Sequence, residues 1–258
     1  MKKLLTILCA CLLLLCQVTA MAENSGETVL ITLADSGITV DGIGAEAEGS
    51  VLNITLPGTY ELTGTLSDGQ IVITNDMPEK ITLILNGVSV TNEKGPALYV
   101  RSSPERVTLT TTADTENTLA SGKSFSEAAD GDPDAAVYST ADLTITGKGI
   151  LNITAERVTG IGSKDDLKIK GGTLNVTAGK HGIRGKDYVE IYDGTINVSA
   201  GKDGIRSTNT KRSDRGYVEI TGGNISIACG DDPIKAVTRI SVTGGTISVT
   251  LVPEKDDD

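Results

Sequence analysis

The chain has 258 residues, a formal net charge of −11, 3% aromatic residues and no tryptophan. A surface this acidic argues against nucleic acid as a partner, because phosphate binding needs a basic footprint. So few large rings leave stacked aliphatic side chains as the material of any core.

The first residues form a targeting segment: Lys2-Lys3 is a positive start, Leu4 to Leu15 an apolar run, and Ala20-Met21-Ala22 a peptidase site. Residues 1–22 are thus expected to be a cleaved signal peptide and the protein secreted, with attachment to the cell surface left open. The apolar run is short for a permanent membrane span. A lipid anchor on Cys16 is the rival, but Leu15 stands where a small residue is needed. Cleavage removes Lys2 and Lys3 together with Cys9, Cys11 and Cys16. The mature chain is then two charges more negative and keeps Cys229 alone, so no intramolecular disulfide holds it.

Residues 23–252 read as one domain. Between 28 and 120, VLNITLPGTYELTGTLSDGQIVI (51–73) and ITLILNGVSV (81–90) are strand pairs broken at glycines, and the strands near 28–40 act as a cap. Residues 121–135 form a polar loop. Its Asp130-Gly131-Asp132-Pro133-Asp134 resembles a calcium loop but fails as an EF-hand at Ala135 and Ala141, leaving a solvated acidic loop. Residues 253–258 are an acidic tail.

Near-copies of one block begin at Leu143, Leu167, Val189, Val218 and Ile240, with periods of 24, 22, 29 and 22 residues. A unit so short cannot bury an apolar face alone and must stack on its neighbours. Alternation with period two makes the stacked units strands. Within 167–188, Leu167 and Ile169, then Leu174, Val176 and Ala178, then Ile183 give three short strands separated at glycines. The expected fold is all-β, a right-handed parallel β-helix (β-solenoid) with three short strands per coil of about 22 residues. Alignment stacks Leu151, Leu174, Ile196, Ile225 and Ile247, and a small column of Ala155, Ala178, Ala200 and Cys229. Cys229 therefore reads as a buried small hydrophobe.

The segments GQIVI, LILNGVSV, AAVYSTADLTITGKGILNI, SKDDLKIKGGTLNV, HGIRGKDYVEI and KDGIRSTN…RGYVEITGG resemble a bacterial secreted carbohydrate-binding family over residues 28–250. Its members have a right-handed parallel β-helix similar to pectate lyases. The resemblance implies calcium in the fold and binding of polygalacturonate and cellulose without demonstrated cleavage. The chain departs from the family's DDGI-type pattern at His181 and at Asp232-Pro233-Ile234.

Four residues past each third-strand isoleucine stand Asp165, Asp187 and Asn209; two before them stand His181, Asp203 and Asp232, with Asp231 beside the last. Stacked carboxylates repel unless a cation lies between them, and calcium takes such oxygens. The residues alone leave this level with neutralisation by Lys164, Lys180, Lys186 and Lys202; the resemblance tips it to Ca2+ on Asp165, Asp187, Asn209, Asp203, Asp231 and Asp232. One residue past the isoleucines, Arg184, Arg206 and Lys235 form a cationic stripe suited to uronate carboxylates, or to bridging nearby aspartates. Tyr188 and Tyr217 share a column and can stack on sugars, though outward tyrosine is ordinary in strands. Asn152, Asn175 and Asn197 form an outward ladder, read chiefly as solubilising or reinforcing. No catalytic residue stands out, and the lone His181 reads as a surface histidine. The expected function is non-catalytic binding, by a monomer, of acidic cell-wall polysaccharide, uronic-acid-rich or cellulose, with calcium. A pectate-lyase-like enzyme and a structural adhesion module are the alternatives.

Overall fold

The computed structural model describes residues 26–125 and 133–252. The expected signal peptide, most of the Asp130–Asp134 motif and the acidic tail lie outside the described residues. Every described element is a strand. Within them, alternate side chains turn inward: Leu174, Val176 and Ala178 are buried while Asn175 and Thr177 are not.

Three parallel ladders organise the chain. The first joins Val107–Thr111, Leu143–Gly147, Asp166–Ile169, Tyr188–Ile191, Tyr217–Ile220 and Arg239–Val242. We call it the tyrosine ladder. The second joins Glu116–Ser121, Ile150–Ala155, Thr173–Ala178, Thr195–Ala200, Asn224–Cys229 and Thr246–Leu251. We call it the asparagine ladder. The third runs from Val51–Ile54 to Ile234–Lys235 in a separate nine-stranded sheet, which Ala45–Glu48 joins antiparallel.

The expectation of a closed β-helix with three strands per coil is corrected by this pairing. The strands gather in a mostly parallel sheet of sixteen and a second sheet of nine, and no closed solenoid is shown. The physical reason lies in a glycine read as a corner. Ile81–Asn92 is one twelve-residue strand through Gly87. Its first half pairs with the tyrosine ladder and its second with the asparagine ladder. Gly87 has φ +74° and opposes a register shift between Leu62 and Gly64, so it makes a bulge inside one strand. Two ladders thereby become one sheet.

Leu151, Leu174, Ile196, Ile225 and Ile247 are register partners in series, as are Ala155, Ala178, Ala200 and Cys229. Cys229 is a buried free thiol. The glycine before each inward isoleucine is set by close approach. A Cβ on Gly182 would lie 2.3 Å from Val198 and 2.6 Å from the Gly204 carbonyl. Its N–H donates to the next repeat, at the Asp203 carbonyl, as Gly204 does to Asp232. Among the described residues no strand of the nine-stranded sheet follows Ile234–Lys235, so Pro233 stands where neither the space nor the donor is used.

The two ends differ. At the start, Val29–Leu33 pairs antiparallel with Thr39–Asp41, and Ala45–Glu48 with Val51–Ile54. Buried Tyr60 donates its hydroxyl to the Leu56 carbonyl at 2.7 Å. The far end finishes on the open strands Arg239–Val242 and Thr246–Leu251. Among the described residues, no helix is long and apolar enough to cross a membrane.

Candidate polysaccharide-binding face

The residue immediately before each strand core of the tyrosine ladder forms a single column: Arg106, Asp142, Asp166, Tyr188, Tyr217, Arg239. At its acidic end, oxygens of Asp142, Asp165 and Asp166 all lie within 4.8 Å of one another. Arg106 pairs with Asp142 at 2.8 Å. Arg215 reaches Asp166 at 3.0 Å and Asp187 at 3.6 Å. Two guanidinium groups thus face the carboxylates of Asp142, Asp165, Asp166 and Asp187. Burial, then the charges of Asp142, Asp166 and Asp187, push the Asp165 carboxyl up to about 6. Asp166 is also raised, chiefly by burial.

The tyrosine rings do not present a flat platform. Tyr188 and Tyr217 stack on each other with centroids 4.9 Å apart, at the spacing of paired strands. Lys168 and Arg215 lie over the Tyr188 ring at 5.1 and 5.6 Å, and Arg239 over Tyr217 at 4.8 Å. Ring faces are therefore occupied by each other and by cations. Below them, Glu190 accepts from Tyr217 at 2.9 Å and Tyr192 at 2.7 Å and pairs with Lys168 at 3.0 Å. Burial alone would raise Glu190, but hydrogen bonds from Tyr192, Lys168 and Tyr217 outweigh it and hold the carboxyl below its usual range. Tyr192 is the exposed aromatic of this face, its hydroxyl pushed up to about 12 by the Glu190 bond.

The second acidic column has a different environment. Asp203 is 1% exposed and meets Arg206 at 2.9 Å, His181 at 3.3 Å and Lys235 at 3.5 Å. Lys235 also holds Asp232 at 2.6 Å. Asp231 shares this corner, where its carbonyl faces the Cys229 thiol at 3.4 Å. His181 is half-buried rather than a surface group. Burial first, and Arg206 next, bring its imidazole down to about 4, so it is neutral beside Asp203.

The cationic stripe exists as a column, Arg184↔Arg206↔Lys235. Each member is engaged: Arg184 forks onto Asp134, with one bond of 2.6 Å, and the other two share Asp203. Gly162 makes the Arg184 reach possible, since a Cβ there would lie 2.9 Å from the guanidinium. Asn209 donates to Asp187 at 2.5 Å, while its own oxygen accepts from the backbone N–H groups of Lys211 and Arg212. Among the described residues, Lys164, Lys186 and Lys202 form no ion pair. The asparagines form an amide ladder: Asn197 donates to Asn175 at 2.9 Å, Asn175 to Asn152 at 2.8 Å, and Asn152 to Glu116 at 2.7 Å.

Sequence reasoning brought Asp165 and Asp187 together correctly in space but missed Asp142, Asp166, Arg215, Lys168 and Arg239. Asp142, Asp166 and Arg239 were detectable, since each precedes a repeat start as Tyr188 and Tyr217 do. Arg215 was not, because it comes from the extra residues of the 29-residue repeat.

Residues 48–257 match the family model described as "Carbohydrate-binding domain-containing protein", and the chain belongs to that family. A relative of the same description from Acetivibrio thermocellus is 37% identical over 142 residues, 54% of this chain and 48% of its own length. The chain thus spans about half the length of that curated relative. Among solved structures, it is similar to a gadolinium derivative of the polysaccharide lyase-like protein from C. thermocellum. That match has a TM-score of 0.78 and 34% identity, covering 90% of this chain and 98% of that one.

Proposed function

We propose that the protein is an exported, non-catalytic module that binds uronate-rich polysaccharide on the tyrosine-ladder face, with calcium at Asp142, Asp165 and Asp166. The carboxylate cluster beside Arg106 and Arg215, with Lys168 and Arg239 further along the same ladder, carries this reading. Calcium prefers six to eight oxygens, and the cluster offers carboxylates that two arginines leave undercompensated. Asp187, already predicted as a ligand, borders it. When bound, calcium would supply bridges to uronate carboxylates. Lys168 and Arg239 provide cations along the ladder, held in place by Glu190 and by Glu219 at 3.3 Å. The occupied ring faces of Tyr188 and Tyr217 favour charged over crystalline, cellulose-like ligands, which need flat aromatic stacking.

The test is retention on polygalacturonate with calcium or with chelator. Wild type should bind only with calcium, and a Lys168→Ala/Arg239→Ala double variant should lose about tenfold in affinity, some 1.4 kcal/mol. If Arg184→Ala abolishes binding while that double variant retains it, the Arg184–Arg206–Lys235 stripe is the site instead. Release of unsaturated uronides by wild type would make the protein a lyase.

A further inference from the structure

Beside the stacked pair of the tyrosine ladder, one ring is covered on a single face. Tyr192 stands one residue past the inward Ile191, in a column with Lys170 before it and Thr221 and Thr243 after it. The Tyr192 N–H donates to the Ile169 carbonyl, that of Thr221 to Ile191 and that of Thr243 to Ile220. Tyr192 is 42% exposed, against 8% for Tyr188. Its hydroxyl bond to Glu190 at 2.7 Å fixes the ring, and the Lys170 ammonium lies over one face, 5.9 Å from the centroid. Among the described residues no other ring or cation lies over Tyr192. Lys170 comes from the preceding strand, so the second face looks along the ladder toward Thr221, one strand spacing of about 4.8 Å away. Thr221 and Thr243 are exposed and too short to reach over the ring. The bends after them, Gly222-Gly223 and Gly244-Gly245, carry no side chains, which leaves a slot open from the side as well.

We infer that this slot binds one uncharged, galacto-configured pyranose, its C–H face stacked on the free face of Tyr192 and its edge over Thr221. The hydrogens on the carbons of a sugar ring are weakly positive and are drawn to the negative face of an aromatic ring. The surroundings select against a charged sugar. Lys168 and Arg239 already pair with Glu190 and Glu219, whereas Asp193, next to the ring, is exposed and forms no ion pair among the described residues. Its carboxylate can accept from sugar hydroxyls and repels a uronate. The floor decides the configuration. Thr221 turns its hydroxyl back to the Ile191 carbonyl at 3.4 Å and leaves its methyl group as the floor. A sugar with every hydroxyl equatorial would press one against that floor from whichever side it entered, at the cost of a water partner. In a galactoside the C4 hydroxyl is axial, so C4 carries a hydrogen at the ring edge. The hydrogens on C3, C4 and C5 then form a continuous surface on the face away from that hydroxyl. A ring standing edge-on reaches the slot as a chain end or branch, not as the flat sheet of a crystalline glucan.

Titration calorimetry of the mature chain with β-1,4-galactotetraose in chelator tests the inference. Wild type should bind, and Tyr192→Ala should lose about tenfold in affinity. Thr221→Lys, which lays an ammonium over the second face as Lys170 does over the first, should lose as much, while Tyr192→Phe keeps the ring and should retain most of the binding. Cellotetraose, with its C4 hydroxyl equatorial, should bind at least severalfold more weakly. Absence of galactotetraose binding, an unchanged affinity in Tyr192→Ala or Thr221→Lys, a loss in Tyr192→Phe as large as in Tyr192→Ala, or equal binding of cellotetraose would each overturn it. Because the probe is uncharged and the buffer holds no free calcium, failure here would leave the uronate proposal standing, and the reverse.

Discussion

The two acidic corners of this molecule lie on either side of the same third-strand isoleucines and have opposite charge economies. At Asp203 the carboxylate is buried and met by Arg206, Lys235 and a neutral His181. At Asp142, Asp165 and Asp166 the carboxylates face one another, and Asp165 is raised to about 6 by burial and by its neighbours. One corner is finished by the protein's own cations; at the other, Arg106 and Arg215 pair with Asp142 and Asp166, while Asp165 has no ion pair among the described residues. A ladder of acids in sequence therefore does not locate a metal site until the compensating side chains are known.

The sharpest way to break this comparison is to remove Asp203. Replacement by alanine strands Arg206 and Lys235 around an emptied buried position, where loss of one partner of a buried pair costs about 3–5 kcal/mol. Urea denaturation should show a loss of that size. Asp165→Ala, in contrast, should not destabilise the calcium-free protein. Equal losses at both corners would mean that both are internally neutralised.

Calcium should distinguish the corners next. A cation bound only by the folded state stabilises it by about 2.7 kcal/mol at a hundredfold excess over Kd. Calcium should raise the melting temperature of wild type and of His181→Gln, and fail to do so for Asp165→Asn. A calcium shift that survives Asp165→Asn but disappears in Asp232→Asn would move the metal to the Asp203 corner.

The corners should also titrate with opposite signs. His181 has its folded value lowered to about 4, so the unfolded chain binds the proton first and stability falls as pH drops from 6.5 through 4. Asp165 has its folded value raised to about 6, so the folded state binds the proton first. Its penalty is present above pH 6 and is relieved as pH falls toward 3.8. In chelator, Asp165→Asn should be more stable than wild type at pH 7, with the difference closing near pH 4. His181→Gln should gain on wild type as pH falls through the same window. Parallel pH profiles for wild type and both variants would refute the contrast.

Much of this was legible in the sequence because stacking converts spacing into register. The series Leu151, Leu174, Ile196, Ile225, Ile247 and the small column ending at Cys229 follow from alignment alone. Corners were less legible, since a glycine such as Gly87 makes a bend or a bulge according to what lies across from it. Charge pairing was least legible. Arg215 and Asp134 belong to an insertion and a loop, which have no register, yet they decide which carboxylates and guanidiniums are already satisfied.

The smallest expected effect bears on that last point. Lys164 and Lys186 lie beside the acids of the Asp165 corner in sequence, and spacing nominated them as its neutralising partners. In the fold Lys164 is exposed, and neither lysine forms an ion pair among the described residues; Arg106 and Arg215 pair instead with Asp142, Asp166 and Asp187. Surface substitutions away from specific contacts usually change stability by less than about 0.5 kcal/mol. Lys164→Ala and Lys186→Ala should therefore fall within that range in chemical denaturation, and should leave the calcium-induced melting shift intact. Arg215→Ala should strengthen calcium binding, because it removes a cation that competes for Asp166 and Asp187. If either lysine variant strengthens calcium binding as Arg215→Ala does, the Asp165 corner is neutralised by its own repeat, and the difference between the two corners disappears.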